Sequence, residues 1–113
     1  MPFINTQTNQ TIAPETEQKL KQQLGRAIEC LKGKSESWLM LCFESDQRMW
    51  FQGTDAPAAM VQVDIFGKAS DKEYNELTKE ICTILHSELQ IPPNRIYVKY
   101  SENTHWGWNG GNF

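Results

Sequence analysis

Cysteine is scarce in this 113-residue sequence, and Cys30, Cys42 and Cys82 are odd in number, widely spaced and without a paired spacing. That pattern argues against a disulfide framework or a zinc site and favours reduced thiols serving as small core residues. No apolar run approaches the roughly 20 residues of a membrane span. The N-terminus lacks the basic and hydrophobic regions of a signal peptide, so the expected location is cytoplasmic; leaderless secretion leaves no mark in a sequence. A basic stripe is also missing: 11 Lys and Arg are interspersed with 14 Asp and Glu for a net charge of −3, so nucleic-acid binding is not expected. What is present is a soluble globular balance, 39% hydrophobic and 22% charged, at the length of a single domain, residues 1–113.

Pro2 to Thr8 reads as a strand that starts almost at the terminus. Pro14 suits a first helical position and Glu15 and Glu17 suit the positive end of a helix dipole. Leu20, Leu24, Ala27, Ile28 and Leu31 then share a face, predicting an amphipathic helix that stops near Gly33. The apolar run Trp38 to Phe43 favours a strand covered on both faces. Met49 to Phe51 suggests a brief strand, and Ala59 to Phe66 alternates with strand period. Ser70 and Glu73 form a capping-box pattern ahead of a second helix carrying Tyr74, Leu77, Ile81, Ile84 and Leu85. Pro92 and Pro93 end it before a last main strand, Arg95 to Tyr100. The tail from Trp106 is aromatic and glycine-rich.

A shift of about 58 positions lays Glu15 on Glu73, Leu31 on Leu89 and Trp38 on Ile96, so the chain reads as βαβ followed by βαβ. Right-handed crossovers put both helices on one face of a four-stranded mixed sheet. The other face then needs a cover, for which a second copy of the chain is the simplest candidate.

Pro2 follows the methionine, and trimming would leave it a free secondary amine. Burial and a nearby cation could depress its pKa enough for it to remove a proton beside a carbonyl. Taken alone, a proline at this position is unremarkable. The stretch Gly33 to Lys68, however, with Gly33-Lys34, Asp46-Gln47, Met49, Phe51, Gly53, Pro57 and Gly67-Lys68, resembles the macrophage migration inhibitory factor family of the tautomerase superfamily. Ile91 to Val98 is similar to that family's helix-to-strand connection, and Gly107-Trp108-Asn109 with Phe113 to its C-terminal signature. The resemblance implies a homotrimer of βαββαβ subunits, no cofactor or metal, and keto-enol tautomerisation of an aromatic α-keto acid such as phenylpyruvate. It implies Pro2 as the base that later returns the proton. Lys34 and the Phe66 N–H would hold the substrate carboxylate, with Tyr97 from a neighbouring subunit packing on its ring.

Each residue also has a structural reading. Lys34 could only favour the negative end of a helix, Tyr97 could be core, and Trp106, Trp108 and Phe113 could pack an interface. The sequence also departs from the family pattern: Lys99 replaces a neutral amide, Trp106 a small aliphatic residue and Phe66 an aliphatic one. These changes should narrow the pocket and make it more cationic, while Asp64 could offset Lys99. The alternatives to an enzyme are a catalytically weak binding or signalling protein on the same scaffold and a simple structural oligomer.

Overall fold

In the computed structural model, which describes residues 1–113, the first strand, β1 (Pro2–Thr8), lies inside the sheet. It pairs in parallel with β2 (Met40–Glu44) and antiparallel with β3 (Ala59–Phe66). β3 pairs in parallel with β4 (Ile96–Asn103), so the strand order is β2-β1-β3-β4. Alternation sends Ile4, Thr6, Thr8, Val61, Val63 and Ile65 into the core. Helices α1 (Pro14–Ala27) and α2 (Asp71–Leu89) close that face through Leu20, Leu24, Leu77, Ile81 and Leu85, all in one apolar cluster. Phe3, Asn5, Gln7, Met60, Gln62 and Asp64 occupy the opposite face and are only partly covered. No helix is long and apolar enough to cross a membrane.

The βαββαβ expectation holds, but several local expectations do not. Helix α1 ends at Ala27 and passes into a 3-10 turn, Ile28–Cys30, rather than running to Gly33. The turn keeps Ile28 and Leu31 buried on the same side, so the apolar period outlasts the α-helix. Leu31 is already extended and Gly33 has φ +82°, a left-handed conformation that glycine adopts without a Cβ penalty. Trp38 belongs to a 3-10 turn, Glu36–Trp38, and β2 is an edge strand with none of its residues fully buried. Its apolar run therefore does not mark coverage on both faces, and Met40 is 68% exposed. The Glu36 side chain lies over Gly25, where a Cβ would be 2.5 Å from its carboxylate and would displace it.

Met49 to Phe51 forms no strand beyond a Phe51–Thr54 bridge. Arg95 shapes this loop instead: its guanidinium donates to the carbonyls of Phe51, Thr54, Ala56 and Pro57 and lies 5.3 Å from the centre of the Phe51 ring. Of the three thiols, half-buried Cys30 and Cys82 pack against the core as expected, whereas Cys42 is exposed. In the tail, β5 (Gly107–Trp108) and β6 (Gly111–Asn112) form a hairpin across Asn109-Gly110, both at positive φ. Asn-Gly between strands is a strong hairpin signal, which neither the composition of the tail nor its Gly107-Trp108-Asn109 resemblance expresses as a turn.

The capping box at α2 is as expected: Ser70 Oγ accepts from Glu73 N–H at 3.1 Å, and Glu73 Oε1 accepts from Ser70 N–H at 2.9 Å. A further bond from Lys32 N–H to Glu73 Oε2 at 2.6 Å helps hold this carboxyl at about 2, below its ordinary 4.5. Because the folded value is the depressed one, its contribution is complete above 4.5 and is lost as pH falls toward about 2. Ser70→Ala should cost about 1 kcal/mol in chemical denaturation. Glu73→Gln should lower Tm at neutral pH, and the gap to the unsubstituted protein should close as pH falls from 4.5 toward about 2.

Candidate active site at the amino terminus

Because β1 begins at Pro2, the chain terminus emerges at the end of an inner strand, with Ile65 as the β3 partner of Pro2. The Pro2 ring is buried, whereas Met1 ahead of it is only half-buried. Phe66 N–H donates to the Met1 carbonyl at 3.0 Å, and Lys34 Nζ donates to the Phe66 carbonyl at 2.9 Å. One peptide segment thus connects the amino terminus to Lys34.

The α-amine of Met1 is held below its ordinary 8.0, first by burial and then by the charge of Lys34 and its hydrogen bond. Both causes disfavour the ammonium form. Lys34 is therefore not a helix-end counter-charge: it lies beyond the 3-10 turn that follows α1, and its ammonium is directed at β3.

An aromatic wall adjoins Phe66. Its ring centre is 5.5 Å from that of Phe113, which stacks on Trp108 at 6.3 Å, and Trp108 meets Trp38 edge-on at 5.0 Å. Trp38 was read only as a strand residue in the sequence; its place in the wall depends on the 3-10 turn.

Trp106 takes no part in these stacks. With His105 it borders an open hollow of about 570 Å³ next to Phe3, Met40, Asp64 and Asn103. Asn103, which no motif marked, donates from Nδ2 to the Ile65 carbonyl at 3.1 Å and fixes the rim. No three His, Cys, Asp or Glu side chains converge as metal ligands.

Two expected site residues lie elsewhere in the chain. Tyr97 pairs with Met60, six residues along β3 from Phe66, which places its backbone about 20 Å away. It is 60% exposed rather than core, and its ring meets Phe51 at 4.9 Å. Lys99 pairs with Gln62, about 13 Å along the strand from Phe66. It makes no ion pair with Asp64; the one salt bridge in the chain joins Lys21 and Glu36.

A four-stranded mixed sheet of two βαβ halves, with a buried proline opening its first strand and a lysine near the chain terminus, defines a member of the tautomerase superfamily. The family model described as Macrophage migration inhibitory factor (MIF) matches residues 1–113, and the chain belongs to that family. The mouse macrophage migration inhibitory factor is 31% identical over 116 aligned residues, spanning all of this chain and 97% of its own. The crystal structure of Leishmania major MIF2 superposes with a TM-score of 0.94 at 34% identity, covering 100% of this chain and 97% of its own. The Toxoplasma gondii macrophage migration inhibitory factor shares the fold at a TM-score of 0.92 and 20% identity, over 98% of this chain and 99% of its own.

The proximity of Lys34 to the terminus has a measurable consequence. In Lys34→Met the α-amine should titrate closer to 8.0, since one of the two depressing causes is gone and burial remains. The pH dependence of amine acylation, with the product located by mass spectrometry, reads this directly; an unchanged profile would separate the two groups.

Proposed function

We propose that the protein is a cofactor-independent keto-enol tautomerase acting on an α-keto acid, with the freed amine of Pro2 as base and then acid. The observation that carries this reading is the Lys34 ammonium fixed at 2.9 Å on the carbonyl of Phe66, the residue whose N–H holds the Met1 carbonyl just ahead of Pro2. Removal of Met1 would do two things together. It would turn the Pro2 nitrogen from an amide into a secondary amine, and it would release the Phe66 N–H that the Met1 carbonyl occupies.

A substrate carboxylate would then lie between Lys34 Nζ and the Phe66 N–H, with its keto group turned toward Pro2. The neutral amine takes a proton from the carbon next to the carbonyl, and the C=O electron pair moves onto oxygen. The resulting prolinium returns the proton to that oxygen, giving the enol; the same steps in reverse restore the ketone. The Pro2 N–H bond that forms in the first step breaks in the second, so the net change is confined to the substrate.

Tyr97 and Lys99 would enter from a neighbouring copy in a homotrimer, Tyr97 against the substrate ring and Lys99 near the developing oxyanion. Trp108 and Phe113, with Trp106 from the neighbouring hollow, would bound the entrance. The tilted pair of Phe66 with Phe113 would narrow it, which favours substrates smaller than phenylpyruvate. A second reading, a binding protein without turnover, is favoured by the occupied Phe66 N–H if Met1 persists in the natural protein.

Mass spectrometry of the natural N-terminus separates these readings, and NMR of deuterium incorporation beside the carbonyl of phenylpyruvate and pyruvate measures the activity. The Met-free protein should exceed both Pro2→Ala and the Met1-bearing form by at least ~100-fold in exchange rate. A Met-free protein no faster than its Pro2→Ala variant refutes the enzyme. Light scattering should give a trimer, and a stable monomer would remove Tyr97 and Lys99 from the site.

A further inference from the structure

Lys34 stands on a segment with few restraints of its own. Between Leu31 and Ser35 the backbone makes the short-range bonds Leu31 N–H to Ile28 O and Lys34 N–H to Leu31 O, both 3.0 Å. Gly33 sits at φ +82°, so the turn has little intrinsic stiffness. The buried Leu31 side chain anchors its start. Its other backbone bonds stay within a few residues along the chain, and the hydrogen bond that ties this stretch of backbone to a distant element runs from Lys32 N–H to Glu73 Oε2, at 2.6 Å.

The other oxygen of that carboxylate accepts Ser70 N–H at 2.9 Å, at the end of the short connection from Phe66 to α2. A single carboxylate thus ties the turn that carries Lys34 to the loop that follows Phe66 at the end of β3, and Lys34 Nζ spans the same gap to Phe66 O at 2.9 Å.

We propose that Glu73 is a positioning residue for the Lys34–Phe66 pair: by joining Lys32 N–H to Ser70 N–H it sets how close the Lys34 ammonium lies to the amino terminus and to the carboxylate it would bind. This rests on the reading of Pro2 and Lys34 given above. Glu73 itself touches neither amine nor substrate. Its carboxyl stays ionised at every pH at which the amine titrates, so the link does not open in that range.

The sign of one observable distinguishes positioning from plain electrostatics. Deleting a negative charge near an amine lowers its pKa, whereas letting Lys34 drift away raises it. Two further comparisons isolate the Lys32 link. Ser70→Ala loses the hydroxyl half of the capping box but keeps both backbone bonds to the Glu73 carboxylate. Glu73→Gln keeps the side-chain length but has one acceptor oxygen for two N–H donors, and it serves if Glu73→Ala does not fold.

The test titrates the Pro2 amine of the Met-free full chain by ¹⁵N NMR and, in parallel, measures keto-acid exchange against substrate concentration. In Glu73→Ala the amine pKa should rise by about one unit, and kcat/KM should fall about tenfold, mainly through KM. Glu73→Gln should move both the same way by less, and Ser70→Ala should leave both within about twofold. An amine pKa that is unchanged or lower in both Glu73 variants, or an equal rise in Ser70→Ala, overturns the proposal. If the Met-free protein turns over no keto acid yet the amine pKa rises only in the Glu73 variants, the positioning role stands and the catalytic reading fails.

Discussion

Everything at the candidate site depends on the burial of β1 between two neighbours. A strand that begins at Pro2 and pairs on both edges must bring the chain terminus out at the end of the sheet, next to Ile65 and Phe66. Its parallel partner β2 begins opposite Phe3, so the connection that leads into β2, and with it Lys34, arrives at that same end. The helix between two parallel strands makes this unavoidable, because a crossover returns the chain to the end from which the first strand started. The meeting of terminus and lysine is thus a property of the topology before it is a property of the side chains.

The same constraint separates Tyr97 from Pro2. β3 runs antiparallel to β1, and β4 runs parallel to β3, so the start of β4 lies at the far end of the sheet. The two βαβ halves therefore each present the start of a first strand and the entry to a second strand at opposite ends. The Pro2 end carries an amine, Lys34 and Phe66. The far end carries Met60, Tyr97 and the loop held by Arg95, which enclose an apolar pocket of about 190 Å³. Within one chain these ends are separate, and the proposed chemistry would draw on one end from each of two copies.

How much of this was legible follows from the range of each signal. Helical period and capping placed α1 and α2, because those signals lie within a few residues of each other; Ser70 and Glu73 are the clearest case. The limits of α1 and β2 were misplaced because Ile28, Leu31 and the run from Trp38 stay apolar through 3-10 turns and an edge strand, where burial no longer reports the backbone type. Asn103 and the Lys32 bond of Glu73 were invisible, since they join residues 38 and 41 positions apart through a backbone group that no pattern identifies. Pro2 and Lys34 were recognised through resemblance; their proximity became a physical statement only with the Phe66 peptide between them.

Charge gives the last step. Lys34 is useful near an amine only if its cation is held close without being neutralised, and its partner is a carbonyl, which orients the ammonium and leaves its charge intact. Glu73 is the anion bonded to the turn that carries Lys34, yet its oxygens are occupied by two backbone N–H groups rather than by the ammonium. The carboxylate thereby orders the segment that carries the cation without forming a salt bridge to it. Lys99 and Asp64 follow the same pattern on the open face, unpaired within the chain. A site that concentrates unneutralised positive charge at a half-buried amine is suited to keeping that amine neutral and to attracting an anionic ligand. Both follow from one arrangement, so a change that quenches Lys34 should weaken basicity control and anion binding together.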